Sequence, residues 1–210
     1  MKLIKRSVKD QIYDIMRERI LHGDIALGEK INMLALSSEL DVSNTPIREA
    51  LSMLERDGLI EIKTNAGPSV IEYSRELFMS VQETVEALIL GAFEIDLMNG
   101  RCDSLCDMLA ATLEKQNQNL EDKDEYEYAR ISMEFDSCFI YCTGNPYIKK
   151  MYDGIEDIFH LVVMNGHVTT TEERHQVLAE HKAILLALRS GKTLRAKDLI
   201  RAHYSRPCRE

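Results

Sequence analysis

No apolar run among the 210 residues approaches the length of about 20 needed to span a bilayer. The first residues carry no signal-peptide core either. The expectation is therefore a cytoplasmic chain with no membrane partner. Cysteine is scarce, five in all and odd in number, without the spacing of a disulfide framework, which fits a reducing compartment. Catalytic signatures are missing as well. There is no phosphate-cradling glycine loop, no nucleophile elbow and no His-Glu-x-x-His pair, so no enzyme is expected. Residues 76–210 show no strand signal and no internal repeat.

Charge is unevenly spread. The whole chain carries −9, of which residues 1–75 contribute −1 and residues 76–210 contribute −8. A strongly acidic protein is a poor candidate for an anionic partner, but the first third is balanced, and local placement decides there. Lys2, Lys5, Arg6 and Lys9 could lie along phosphates or form a solvated terminus.

The stretch from Val42 to Ile60 is the most informative. Polar residues precede Pro46, which suits the first position of a helix because its missing N–H costs nothing there. Ile47, Ala50, Leu51 and Leu54 follow the helical period and form one apolar face. Thr45, Arg48, Ser52 and Glu55 occupy the opposite face. Gly58 provides a left-handed stop. Before it, Val8–Leu21 reads as a helix with Val8, Ile12, Ile15, Met16 and Ile20 on one side. Met33–Leu40 reads as a short helix with Leu34, Leu36 and Leu40 apolar, and Asp41 makes the turn. After it, Leu59–Lys63 reads as a strand, Asn65–Pro68 as a turn and Ser69–Tyr73 as the returning strand. Three helices and a hairpin make a winged helix-turn-helix, whose second helix presents a polar, arginine-bearing edge of the kind the major groove of duplex DNA admits.

Residues 76–210 read as about six helices: Leu77–Asn99, Cys102–Leu120, Tyr126–Cys142, Pro146–Met164, a fifth ending at Leu188 and a last one after Gly191 ending near Tyr204. Thr170 with Glu173 forms a capping box for the fifth. The expected fold is thus mainly α: a winged helix-turn-helix domain over 1–75 and an all-helical bundle over 76–210. Met79, Met98, Met108, Met133 and Met151 are assigned to the core. Cys102/Cys106 and Cys138/Cys142 each share a helix face and read as small buried hydrophobes, with a thiol redox sensor or soft-metal site as the alternative. His160, His167 and His175 read as exposed.

The segment Val8–Tyr73 resembles the DNA-binding domain of GntR-type bacterial transcription regulators. The resemblance rests on Leu21-His22-Gly23, Gly28, the gapless run from Val42 to Leu51, Leu54–Ile60 and Gly67. It implies a DNA-binding set of Ser43, Asn44, Thr45, Arg48, Ser52, Lys63, Asn65 and Gly67. Arg48 matches the arginine that reaches base or phosphate, Thr45 a phosphate-binding hydroxyl and Gly67 the wing-tip glycine. Asn44 and Leu34 stand where the family usually has arginines. Arginine forks onto guanine, whereas asparagine suits adenine. Asn44 therefore reads either as a helix cap or as a base contact of altered preference.

The second half resembles the FCD effector domain of the FadR subfamily, most like its six-helix VanR branch. The carriers are Phe135 ahead of Thr143-Gly144-Asn145-Pro146, the run Glu180–Ile184, and Ala196–His203 after Gly191. The resemblance implies a homodimer that binds double-stranded operator DNA as a repressor and releases it on binding a small effector, such as an organic or sugar acid. It also implies a metal site in the bundle. His181 and His203 match two of the family's ligands, Asp136 falls where the family has a histidine, and Ser132 where it has an aspartate. Asp136, His181 and His203 would suit zinc, nickel or manganese. Gln82, Ser132, Asp136, His181 and His203 form the expected effector site, with Gln82 near the place of an effector-gripping arginine. A metal-free polar cluster, in which Asp136 favours charged imidazoles, is the other reading of the same residues. An architectural DNA-binding dimer and a metal-dependent hydrolase are the alternatives at the level of function.

Overall fold

A computed structural model describes residues 6–64, 66–121, 124–166 and 170–206. The chain divides into two compact units, residues 1–73 and 74–210.

The first unit contains α1 (Val8–Leu21), α2 (Met33–Leu40), α3 (Asn44–Arg56), β1 (Ile60–Lys63) and β2 (Gly67–Val70). Its core is built where the helical period puts apolar side chains on facing surfaces: Ile12, Met16 and Ile20 of α1 and Ile47, Leu51 and Leu54 of α3 are all buried. Val8 and Ile15, expected on that face, are half-exposed. Asp41 ends α2 with φ +50°, a left-handed turn that lets α3 set off in a new direction. At the far end of α3, Gly58 has φ +76°. Its N–H donates to the Glu55 carbonyl at 3.0 Å, and the Leu59 N–H to the Leu54 carbonyl at 2.9 Å, closing a Schellman motif.

The hairpin differs slightly from its expected course. Gly67 and Pro68 belong to β2, not the turn, with Lys63 paired to Gly67 and Ile62 to Pro68. Pro68 is tolerated because it needs only to accept: its carbonyl takes the Ile31 N–H at 2.9 Å. The helix start also differs. Helix α3 begins at Asn44, so Pro46 is its third residue, and the capping residue Ser43 makes no side-chain cap bond.

Among the described residues the second unit holds seven helices: α4 (Arg75–Met98), α5 (Cys102–Gln118), α6 (Glu125–Cys142), α7 (Pro146–Asp153), α8 (Glu156–Gly166), α9 (Thr171–Arg189) and α10 (Thr193–Tyr204). The helix expected over Pro146–Met164 is broken in two at Gly154 and Ile155, where a tight Ile155 N–H to Tyr152 carbonyl bond of 2.9 Å turns the chain. The Thr170–Glu173 capping box is present in both directions. Helix α6 is buried nearly all round, with Tyr128, Phe135 and Phe139 fully enclosed. A helix so placed is the axis of a bundle, and α4, α5, α8 and α9 pack around it. Polar residues on α6 therefore lie in the interior, where each needs a partner. Met133 lies in the core, but Met98 and Met151 are strongly exposed and Met79 is exposed. His160 is buried against the Tyr126 ring at 4.5 Å, against expectation, while His175 is exposed. His167 lies outside the described residues.

Candidate functional site

Two places carry chemistry, one in each unit. In the first, the buried side of α3 fixes what its other side can offer. With Ile47, Ala50, Leu51 and Leu54 packed inward, Thr45, Arg48, Ser52 and Glu55 all face solvent. Arg48 makes no ion pair among the described residues, so its five donors are uncommitted. Ser43 and Asn44 are exposed at the start of the helix, and neither side chain caps it. The cap reading of Asn44 is therefore not what the structure shows. Lys63 is less available: its ammonium lies 3.0 Å from Glu61 and 3.9 Å from Glu72, and these carboxylates raise its pKa. Gly67 has φ +79° and open space where a Cβ would stand. Asn65, and with it Lys2 and Lys5, lies outside the described residues. Leu34, in the place of an expected arginine, is 74% exposed.

In the second unit, α6, α9 and α10 bring Asp136, His181 and His203 together, with one ligating atom from each lying within 4.8 Å of the others. Asp136 and Ser132 are one turn apart on α6 and share its inward face. The His181 ring stacks on Phe135, with centroids 4.0 Å apart and planes 7° from parallel. Its Nδ1 lies 2.9 Å from Gln116 Oε1, while its Nε2 is buried without a hydrogen-bond partner among the described residues. The His203 Nδ1 lies 2.7 Å from Glu180 Oε2, which also takes Arg206 at 2.8 Å. A carboxylate only accepts, so His203 Nδ1 carries a proton. Neither imidazole is hydrogen-bonded or ion-paired to Asp136 among the described residues.

Burial governs the charges. It raises the Asp136 pKa, opposed by the charge of His203, a hydrogen bond from Tyr204 and the charge of Arg206. It drives His181 well below its ordinary value, helped by His203 and Arg206, so His181 is neutral. This corrects the expectation that Asp136 would favour a charged imidazole at 181. Burial acts against the Glu180 carboxylate too, but the hydrogen bond from His203 and the nearby positive charges outweigh it and lower the pKa. A cavity of about 30 Å³ adjoins the cluster, lined by Gln82, Ser132, Asp136, His203, Tyr204 and Arg206. Its size suits an ion with a water or two and not a metabolite, whose pockets run to about 300 Å³ and more. His181 is not part of the cavity wall and reaches the cluster beside His203, with ring centroids 4.9 Å apart.

Gln82 is buried, lines the cavity and leaves its Oε1 without a partner. Ser132 also lines the cavity, its Oγ accepting from Gln116 Nε2 at 2.9 Å. Gln116, Glu180 and Arg206 escaped the sequence reading. Only Glu180, directly before His181 in the Glu180–Ile184 run, carried any signal. The cysteines form no site among the described residues: burial pushes the Cys106, Cys138 and Cys142 thiols up to about 11, which leaves little reactive thiolate.

A winged helix-turn-helix joined to an all-helical bundle with a buried polar pocket is the architecture of a ligand-responsive DNA-binding regulator. The chain belongs to the gntR family of bacterial regulatory proteins: residues 8–70 match that family's DNA-binding region, and residues 99–206 match the FCD domain. That pairing defines the FadR-type subfamily, whose members are transcriptional regulators and not enzymes. The chain is 25% identical over 204 residues to the HTH-type transcriptional regulator YdhC of Bacillus subtilis (strain 168), covering 94% of this chain and 88% of that one. It is 22% identical over 180 residues to the gluconate operon transcriptional repressor of Bacillus licheniformis, covering 83% and 73%. A GntR-type regulator from Rhodococcus sp. RHA1 shares the fold, with a TM-score of 0.74, 18% identity and 93% of each chain covered.

Proposed function

We propose that the protein is a homodimeric repressor that reads operator DNA with α3 and the wing and releases it when a small acid, of organic or sugar type, binds in the helical bundle. On the DNA side, Arg48 and Thr45 make the principal contacts. Asn44 reads a base edge, and Ser43, Ser52, Lys63, Asn65 and Gly67 hold the backbone. Asn44 in place of arginine shifts the preferred half-site towards adenine. Two copies related by a two-fold axis recognise a pseudo-palindrome. A relative that represses a gluconate operon is consistent with the acid class.

The observation that carries the sensing half is the set of unpaired electron pairs around the bundle cavity. The lone pair of His181 Nε2, a ring nitrogen of His203 and the Asp136 carboxylate converge, with the Tyr204 hydroxyl beside Asp136 as the neighbouring donor. Such a cluster is stable only when protons or a cation fill it. Two imidazoles whose Nδ1 protons are held by oxygen acceptors, with one carboxylate, form a donor set that suits zinc, nickel or manganese. A bound divalent ion would supply a Lewis-acidic position for an effector oxygen. Gln82 and Ser132 line the same cavity and contribute polar contacts. Since 30 Å³ does not hold a sugar acid, effector entry requires the pocket to open, and this opening is the step that couples to operator affinity.

The test is operator affinity, measured by fluorescence anisotropy with zinc and a panel of sugar acids and dicarboxylates, for the wild type and His181→Ala. One acid should weaken wild-type binding at least tenfold and leave the variant's binding unchanged. A full response in His181→Ala would place the effector elsewhere.

A further inference from the structure

Four hydrogen bonds behind the pocket fix which way its polar groups face. Tyr128 and Gln116 are fully buried. The Tyr128 hydroxyl lies 3.1 Å from the backbone carbonyl of Arg174. A carbonyl can only accept, so the phenolic proton is spent there. The phenolic oxygen then meets Gln116 as an acceptor, and the group facing it at 3.2 Å must be the amide NH₂. The same NH₂ reaches Ser132 Oγ at 2.9 Å. The Gln116 Oε1 is thereby turned to His181 Nδ1 at 2.9 Å, and an amide oxygen can only accept. His181 must carry a proton on Nδ1, and in the neutral ring this leaves Nε2 as a lone pair. The Ser132 oxygen is likewise committed as acceptor. No carbonyl or carboxylate among the described residues takes its proton, and the hydroxyl lines the cavity.

We propose that Gln116, oriented by Tyr128 and the Arg174 carbonyl, is the positioning residue that sets the polarity of the bundle pocket: it presents His181 Nε2 as an electron-pair donor and Ser132 as a hydrogen donor. The consequence follows from the chemistry. Serine at 132 is a poor ligand for a zinc, nickel or manganese ion held by Asp136, His181 and His203, but its hydroxyl can donate to an oxygen bound there. The pocket is built for an oxygen-bearing ligand, water or carboxylate, that touches Ser132 as it binds. The metal part of this inference rests on the proposed metal set; the tautomer does not.

The experiment is long-range ¹H–¹⁵N NMR on histidine-labelled full-length protein, first stripped with chelator and then titrated with zinc. The inference predicts a pyrrole-type Nδ1 and a pyridine-type Nε2 for His181 in the stripped protein. Gln116→Leu should lose that single tautomer and weaken zinc binding about 10- to 100-fold, the usual loss from an outer-shell change. Gln116→Glu, which keeps an acceptor opposite Nδ1, should retain the tautomer. A proton on Nε2 in the stripped wild type, or an unchanged tautomer in a folded Gln116→Leu, overturns the proposal. A correct tautomer with no zinc-dependent shift upholds the positioning role and removes the metal.

Discussion

At the scale of single residues, the side chains with the clearest consequences are Arg48 and Glu180. Arg48 is exposed, unpaired among the described residues and on the polar face of a helix whose other face is core. Nothing in the fold depends on its side chain, so Arg48→Ala should leave thermal stability within about 0.5 kcal/mol of wild type. Its DNA affinity should fall by about 10- to 100-fold, the worth of one bidentate contact. Gel shift and calorimetry on the same preparation check both halves. Glu180 is bridged to His203 and Arg206. Its folded pKa is lowered, so the fold favours the carboxylate. That stabilisation is complete above the unfolded value near 4.5 and disappears as pH falls through the lower folded value. In chelator-treated protein, Glu180→Gln should cost about 1–2 kcal/mol at neutral pH. The gap from wild type should close as the pH is taken down through that lowered folded value. A pH-independent gap in melting temperature would show that packing, not charge, is at stake.

Secondary-structure elements show where sequence periodicity suffices. The apolar face of α3, the Gly58 stop and the Thr170 capping box are local features, and local spacing displays them directly. Gly58→Ala should destabilise the first unit by about 1–2 kcal/mol, because φ +76° costs an L-residue that much. Its urea midpoint should move down without a change in slope. Periodicity fails at α7 and α8. Ile148, Tyr152, Ile155 and Phe159 keep helical spacing across the break, so nothing in the pattern marks the turn at Gly154. It fails differently on α5. A glutamine within a helix ordinarily faces solvent, and only the packing of α6 and α9 against α5 shows that Gln116 is enclosed. The exposure of Met98 and Met151 has the same origin, since a methionine near a helix end carries no sign of what covers it.

For the whole molecule, the charge asymmetry acquires a reason. A head near neutrality with a locally exposed arginine can approach phosphates, while the acidic excess sits in residues 76–210. Duplex affinity should therefore fall steeply with salt, and Arg48→Ala should make the logarithmic slope shallower by about 0.9 if Arg48 contacts a phosphate and leave it unchanged if it reads only a base. The bundle's polar interior has a parallel explanation. Asp136, His181 and Gln116 are buried in a core that would pack more easily without them, and their grouping beside one small cavity fits a sensor better than a scaffold. The residue types at 136, 181 and 203 were visible in the chain, together with their separation on different helices. The hydrogen bonds that orient them were not, because Gln116, Tyr128 and the Arg174 carbonyl become neighbours only in the folded bundle.

The most direct measurement is selection from a pool of randomised DNA duplexes at modest salt, run side by side with wild-type protein and Arg48→Ala. The account predicts that the wild type enriches a two-fold symmetric sequence with adenine in each half-site and that the variant binds that sequence about 10- to 100-fold more weakly. No enrichment by the wild type, or undiminished binding of the enriched sequence by Arg48→Ala, would contradict it.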